Sequence, residues 1–186
     1  MKHLHEMEDI ELSMMNLGIG KYIGEMKDGQ PNGRGIYYDN TEKYIGNWSN
    51  GMINGNGTIE FANGDRYVGE FQSNMAHGHG IYYHANGDKY DGEFIDDKAN
   101  GQGTKWFSSG KHYIGEFVND RMHGRGTMVH KNGDRYVGTI VDDKANGQGT
   151  YYWAYGDRYE GAFVDGERQG QGIHYYANGD TKVRSS

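Results

Sequence analysis

The chain has 186 residues, with 32 glycines, 16 tyrosines, one proline and no cysteine, and its formal net charge is −7. The absence of cysteine excludes disulfides and thiolate metal sites, and the negative charge opposes general attraction to nucleic acid. Leucine occurs only at Leu4, Leu12 and Leu17, so the large apolar groups after residue 18 are mainly aromatic rings, which indicates a thin β structure rather than a thick aliphatic core.

Residues 1–20 differ from the rest of the chain. Apolar residues recur there at helical spacing, in a stripe that ends at Gly18 and consists of Leu4, Met7, Ile10, Met14 and Leu17. This spacing predicts an amphipathic N-terminal helix, acting as a tail or as a cap over the first strand. An alternative is a helix that docks in a groove of this or another subunit. The segment is too acidic for a secretory signal, so we expect a cytoplasmic protein.

A repeat begins at residue 21. The motif Tyr-x-Gly recurs with spacings of 22 residues once and then 23 residues five times, its tyrosines being Tyr22, Tyr44, Tyr67, Tyr90, Tyr113, Tyr136 and Tyr159. In "KYIGEF" the alternation places Tyr, Gly and Phe on one face. A second strand such as "GIYY" follows, and "ANGDK" carries the signal for a tight turn. The pattern predicts a strand pair in each repeat and about fourteen strands in total.

The predicted fold is therefore all-β, an elongated single-layer antiparallel meander of repeat hairpins, in which seven repeats occupy residues 21–181 and residues 182–186 form a C-terminal tail. The glycine between Tyr and Phe leaves a hollow in which a neighbouring ring can lie. Paired glycines such as Gly33 and Gly35 permit positive φ and sharp bends.

The stretch "DDKANGQGT" occurs at residues 96–104 and again at 142–150. The separation equals two repeats, so it is the same part of two building blocks. Paired aspartates would also suit calcium, but other repeats carry Asn50-Gly51 or Asn119-Asp120 here, which favours turns. His77, His79 and His84 lie close in sequence, but repeat inheritance explains them without zinc, and we predict no metal.

Tyr-x-Gly-x-Trp/Phe followed about nine residues later by Gly-x-Gly resembles the MORN repeat, with departures at Met26 and Ile140. The resemblance implies protein–protein interaction, often in assemblies at membranes, the cytoskeleton or cilia, and a link to phospholipids. No Gly-x-Ser-x-Gly elbow occurs, and "GIGKYIG" lacks the spacing of a phosphate-binding loop. We therefore predict a non-catalytic scaffold without a cofactor.

The first candidate surface is an aromatic-glycine groove that binds an amphipathic helix or an extended peptide. A single layer should leave part of its rings open, although most of them must also hold the sheet together. The candidate residues are Tyr44, Trp48, Tyr67, Phe71, Tyr90, Phe94, Tyr113, Phe117, Tyr159 and Phe163.

The opposite face gives the alternative function, a phospholipid-headgroup or membrane-tethering module that uses Lys89, Arg135 and Arg158. Charge pairing with nearby glutamates is the simpler interpretation of these cations. A third hypothesis is an extracellular carbohydrate-binding module, with sequons at Asn47 and Asn56. Association with a membrane or the cytoskeleton and a homodimer are further predictions.

Overall fold

The computed structural model describes residues 12–184, which form sixteen β-strands and no helix. The chain divides into two compact units, Met1–Met75 and Ala76–Ser186. In each unit the strands pair antiparallel in chain order.

The first unit contains six strands, each hydrogen-bonded to the next: β1 (Leu12–Leu17), β2 (Gly20–Lys27), β3 (Gln30–Tyr38), β4 (Glu42–Ser49), β5 (Met52–Phe61) and β6 (Arg66–Gln72). The second unit continues the pattern with β7 (Met75–Tyr83), β8 (Lys89–Ile95), β9 (Lys98–Trp106), β10 (His112–Val118), β11 (Arg121–Val129), β12 (Arg135–Val141), β13 (Lys144–Tyr152), β14 (Arg158–Val164), β15 (Glu167–Tyr175) and β16 (Thr181–Arg184). The predicted all-β antiparallel meander of repeat hairpins is confirmed.

The two ends of the repeat array differ from the prediction. The helix predicted over residues 1–20 is wrong for residues 12–17, which form β1 in register with β2, Met14 opposite Ile23. The residues Leu4, Met7 and Ile10 of the predicted stripe lie outside the described residues. At the other end, residues 182–184 of the predicted tail belong to β16, where Lys182 lies opposite His174. These two segments form hydrogen bonds with β2 and β15, whose outer backbone groups would otherwise be unpaired at a sheet edge. They raise the number of strands from the predicted fourteen to sixteen.

In six of the repeats the tyrosine lies over the glycines of its own hairpin, namely in those of Tyr22, Tyr44, Tyr90, Tyr113, Tyr136 and Tyr159. A Cβ atom added at Gly126 would stand 2.3 Å from the Tyr113 ring, and one at Gly115 would stand 2.4 Å from its hydroxyl. The hollow is thus filled by the tyrosine two residues earlier in the strand, not by a neighbouring ring as we expected. The Tyr113 hydroxyl donates a hydrogen bond to the Glu116 carbonyl at 3.1 Å, which fixes the ring over the glycine pair.

Phenylalanine rings connect successive repeats. Phe117 meets Tyr113 of its own strand with ring centroids 5.3 Å apart, and Tyr90 of the preceding repeat at 4.8 Å, both edge to face. Edge-to-face pairs of this kind add about 0.5–1.5 kcal/mol each beyond their buried area. Within each unit, tyrosine rings therefore alternate with a second large apolar side chain on one face of the sheet, which we call the ring face; this second residue is phenylalanine in most repeats, Trp48 in one and Ile140 in another.

The paired acids of "DDKANGQGT" form turns. Asp96 and Asp97 have φ of 49° and 67°, the left-handed conformation that a tight hairpin turn requires. Asp97 also binds the preceding repeat, because its Oδ1 accepts a hydrogen bond from Ala76 N at 2.7 Å while its own N–H donates to Ala76 O at 3.0 Å. Asn100 of the same stretch accepts from Asn119 N at 3.2 Å. The stretch is copied because it joins adjacent repeats.

Replacing Asp120 with alanine should destabilise the chain by about 1–3 kcal/mol, since it leaves a buried N–H without an acceptor. Asp120 Oδ1 accepts from Ala99 N at 2.8 Å, and Ala99 is buried. Asp120→Asn is the matched control, because Asn74 makes the same bond to Ile53 N at 2.8 Å. Denaturant unfolding of the two variants measures the difference, and equal losses for both would contradict the role of the side-chain oxygen.

Candidate functional site

The ten predicted groove residues are buried. Their exposed fractions run from 0% at Tyr44 and Tyr113 to 7% at Trp48 and Phe71. The expectation that these rings stay partly open is therefore not met, because the rings of adjacent hairpins cover one another. Four of them still line depressions of the ring face, namely Tyr90, Phe94, Phe117 and Phe163.

A second set of rings lies at the edge of the ring face, each directly before a four-residue turn with glycine at its third position, such as Ala85-Asn86-Gly87-Asp88. In the second unit these residues recur every 23 residues and form what we call the turn-edge row: His84, Phe107, His130, Trp153 and Tyr176. Each closes its turn in the same way, His84 N–H donating to Asp88 O and Trp153 N–H to Asp157 O, both at 2.9 Å. Sequence reasoning missed this row because the alignment was built on Tyr-x-Gly, although an aromatic or imidazole ring before every turn was a readable signal.

Several rings cluster around Trp153. Its centroid lies 4.9 Å from Tyr151 and 5.0 Å from His174, to which it is nearly parallel, and His174 lies 4.4 Å from Tyr176. The guanidinium of Arg168 lies 5.0 Å from the Trp153 ring. A depression of about 450 Å³ opens beside the cluster, lined by Tyr151, Trp153, Phe163, Gly166, Glu167, Arg168 and Arg184. The surface offers half-exposed ring faces next to cationic groups.

A second depression, of about 280 Å³, lies on the same face near His84. Its lining combines rings with charged groups: Tyr82, His84, Tyr90, Phe94, Asp97, Ala99, Lys105, Phe117 and Asp120. The ammonium groups of Lys105 and Lys111 lie 5.2 and 4.7 Å from the Phe107 ring. Cations thus accompany the turn-edge row at both Phe107 and Trp153.

Two aspartates near the turn-edge row, Asp134 and Asp157, form hydrogen bonds with other side chains of the protein. Asp157 Oδ2 lies 2.9 Å from His174 Nε2, and Asp134 Oδ2 accepts from the Tyr151 hydroxyl at 3.0 Å. The hydrogen bond from His174, followed by that from the Ala177 N–H, lowers the pKa of Asp157. Burial, and then the bond to Asp134, raises the pKa of Tyr151 to about 12.

The cations proposed for lipid headgroups lie on the opposite face, each against a ring. Lys89 lies 4.4 Å from the Trp106 ring, Arg135 lies 4.1 Å from the Tyr152 ring, and Arg158 lies 3.8 Å from the Tyr175 ring. Two of them also pair with acids, Lys89 with Asp91 at 3.4 Å and Arg158 with Glu160 at 2.8 Å. An anionic headgroup would compete with these contacts, and lipid binding stays a prediction.

The opposite face of the second unit also carries a groove lined by apolar residues and by the polar residues Arg125, Gln148, Glu160 and Gln171. The strand register places Thr127 beside Val137, Val137 beside Thr150, and Ile173 beside Val183. These residues border a depression of about 890 Å³ whose floor contains the glycine backbone at Gly126, Gly138, Gly149, Gly161 and Gly172. These glycines present only backbone atoms on this side, because a Cβ atom added at any of them would point toward the tyrosines of the ring face.

The three histidines that lie close in sequence contact different side chains, and His84 packs against Tyr82. His77 Nδ1 lies 3.7 Å from Asp96, whereas His79 Nε2 lies 3.2 Å from Asp91. Across residues 12–184, no three histidine or acidic side chains are grouped as a metal site would require. Nor does this part of the chain contain a helix of the length and apolar character needed to cross a membrane.

The MORN repeat profile matches seven consecutive segments of the chain, residues 22–41, 44–66, 67–89, 90–112, 113–135, 136–158 and 159–181. The chain therefore belongs to the MORN-repeat family, and the predicted resemblance is confirmed. No curated protein sequence matches the chain significantly.

Two solved structures share the fold at low sequence identity. One is the TCP domain of Drosophila melanogaster SAS-4 (dCPAP) in complex with a proline-rich motif of Ana2 (dSTIL), at 14% identity and a TM-score of 0.54, with 94% of this chain and 90% of that chain covered. The other is the G-box domain of the microcephaly protein CPAP, at 10% identity and a TM-score of 0.55, with 95% and 99% covered. At these identities the likeness concerns the fold alone.

Proposed function

We propose that this chain is a non-catalytic MORN-repeat scaffold that binds a segment of a protein partner along its ring face. The observation that carries the proposal is the turn-edge row, whose half-exposed rings stand next to two depressions and are accompanied by cations. Rings with one accessible face and adjacent cationic groups are typical of surfaces that bind protein segments. The SAS-4 domain, which has a similar fold, is itself in complex with a protein segment. A cytoplasmic location and an association with the cytoskeleton stay predictions.

The ten buried rings of the predicted groove lie below this surface and support it. Phe94 and Phe117 form part of the floor of the smaller depression, and Phe163 lines the larger one. We propose that a bound segment contacts the turn-edge row first and meets only the edges of the buried rings. Truncating Phe117, which is 1% exposed, would cost about 3–5 kcal/mol of stability. Binding tests should therefore alter the half-exposed rings.

The chain offers a matched pair of double variants for this test. Phe107→Ala/Trp153→Ala removes two rings of the turn-edge row, whereas Trp106→Ala/Tyr152→Ala removes their chain neighbours, which point to the opposite face and stack with Lys89 and Arg135. Affinity capture from a lysate of the source cells would compare the intact chain with both variants. We expect a protein that is captured by the intact chain and by the opposite-face variant and is lost with the ring-row variant.

Direct binding then has to be shown with purified components. A fragment of the captured protein should bind the purified chain in solution with the same dependence on Phe107 and Trp153. Capture that is equal for all three forms, or capture of nothing by any of them, would contradict a scaffold that acts through the ring face.

A further inference from the structure

We infer, on the basis of the proposed scaffold function, that the partner segment is proline-rich and acidic. It adopts the polyproline II conformation and lies across the strands along the turn-edge row, with a proline at every third position. The row is defined above by His84, Phe107, His130, Trp153 and Tyr176.

The first argument is the match of two repeat distances. Successive rings of the row are one repeat, or two strands, apart, which corresponds to about 9.6 Å at the usual strand spacing of ~4.8 Å. A polyproline II helix turns once in three residues and rises ~3.1 Å per residue, so the same side of it recurs every ~9.3 Å. Two turns of an α-helix span ~10.8 Å. The mismatch with the ring spacing is then ~1.2 Å per repeat for an α-helix, compared with ~0.3 Å for polyproline II. A polyproline II segment can therefore place one proline at each of several consecutive rings.

The second argument is the form of the ring surface. Trp153, His174 and Tyr176 stand one after another with centroids 5.0 and 4.4 Å apart, and Tyr176 is 38% exposed. Polyproline II segments dock on aromatic-lined surfaces because the proline ring is apolar and the segment is already extended, so little conformational entropy is lost. The depressions beside His84 and Trp153 give the proline rings space between the aromatic walls.

The third argument is charge. Lys105 and Lys111 lie against Phe107, and Arg168 lies against Trp153. Asp134 and Asp157 are engaged by Tyr151 and His174, and Asp97 and Asp120 of the smaller depression accept hydrogen bonds from Ala76 N–H and Ala99 N–H. Glu167 lines the larger depression together with the two cations Arg168 and Arg184. The two cationic positions are two repeats apart, about 19 Å by the usual strand spacing. Six residues of polyproline II span ~18.6 Å. Acidic residues six positions apart in the segment would therefore meet both cationic positions.

The test uses the full chain and three synthetic peptides, with binding measured by calorimetry and by tryptophan fluorescence. The first peptide has proline at every third position and two glutamates six residues apart. The second has the same composition with the proline and glutamate spacings broken. The third is an amphipathic helical peptide of equal length and charge. We expect the first peptide to bind at least about tenfold more tightly than the second.

The same double variants locate the site. Phe107→Ala/Trp153→Ala should weaken binding of the in-register peptide by about tenfold or more, and Trp106→Ala/Tyr152→Ala should change it by less than about twofold. Arg168→Gln should weaken binding and reduce its dependence on salt. Equal affinity for the first two peptides, no measurable affinity for the first, or indifference of its binding to the ring-row variant would overturn the inference.

The third peptide separates this inference from the proposed function. If the helical peptide binds in a manner that depends on Phe107 and Trp153 while the proline peptide does not, the ring face is a binding surface and the proline inference is wrong. If neither peptide binds and no captured protein depends on the ring row, both the inference and the proposed function are wrong.

Discussion

Replacing Gly126 with alanine should reduce the stability of the chain by about 3 kcal/mol or more, which corresponds to roughly 6–12 °C in Tm for a chain of this size. The new Cβ would stand 2.3 Å from the ring of Tyr113, a residue with no exposed surface. The ring cannot move aside easily, because its hydroxyl is bonded to the Glu116 carbonyl and its face is packed against Phe117. Thermal unfolding followed by circular dichroism measures the loss.

Gly166→Ala is the matched control for this substitution. Gly166 has a φ of 91°, but a Cβ there would meet nothing within 4 Å. Its replacement should cost only the backbone strain of the left-handed region, about 1–2 kcal/mol. A Gly126→Ala loss no greater than the Gly166→Ala loss would show that the tyrosine is not fixed over the glycine pair.

The chain should also lose stability steeply in alkaline solution. Burial raises the pKa of Tyr44 and of Tyr113 to about 12, and it raises the pKa of Tyr90 further. In the unfolded chain these hydroxyls ionise near their ordinary pKa of about 10. The folded state therefore binds more protons than the unfolded state above that pH. The stabilisation is fully present below about pH 10 and is lost as the pH rises through about 12.

Denaturant unfolding at a series of alkaline pH values, together with the ultraviolet absorbance of tyrosinate, checks this expectation. Ionisation of the buried tyrosines should coincide with the loss of β structure. Tyr113→Phe should be less stable than the intact chain near neutrality, by about 1 kcal/mol for the lost hydrogen bond, and should show a shallower dependence on pH. Full tyrosine ionisation near pH 10 with an intact far-ultraviolet spectrum would contradict the expectation that ionisation of the buried tyrosines unfolds the chain.

The local architecture could be predicted from the sequence because each of its signals is local. The alternation around Tyr113, Gly115 and Phe117 determines which side of the strand carries the rings, and the paired polar residues at Asp96 and Asp97 determine the turn. The seven-fold recurrence then determines that the hairpins follow one another in a meander. These predictions need only strand periodicity and turn preference.

The candidate site was predicted less well, because exposure depends on residues that are distant in the sequence. The sequence gives no direct measure of how far Phe117 is covered by Tyr90 of the preceding repeat, and the predicted groove proved to be the core. The half-exposed rings lie instead before the turns, as Trp153 does, where only part of each ring has a neighbour. The helix predicted from the N-terminal stripe was wrong for residues 12–17 for a related reason, since pairing with a free strand edge can override helical spacing.

The sequence by itself therefore determined the repeat, its strand pairs, its turns and the need for glycine at fixed positions, since all of these depend on the conformation of a few consecutive residues. Only the tertiary structure decided which rings are covered, which stand at the turn edge beside Arg168 and Lys105, and that Asp97 joins its repeat to the one before. Apart from the Lys105 contact, which is local, those features depend on hydrogen bonds and ring contacts between residues of different strands or turns, and the pattern within one strand does not specify them.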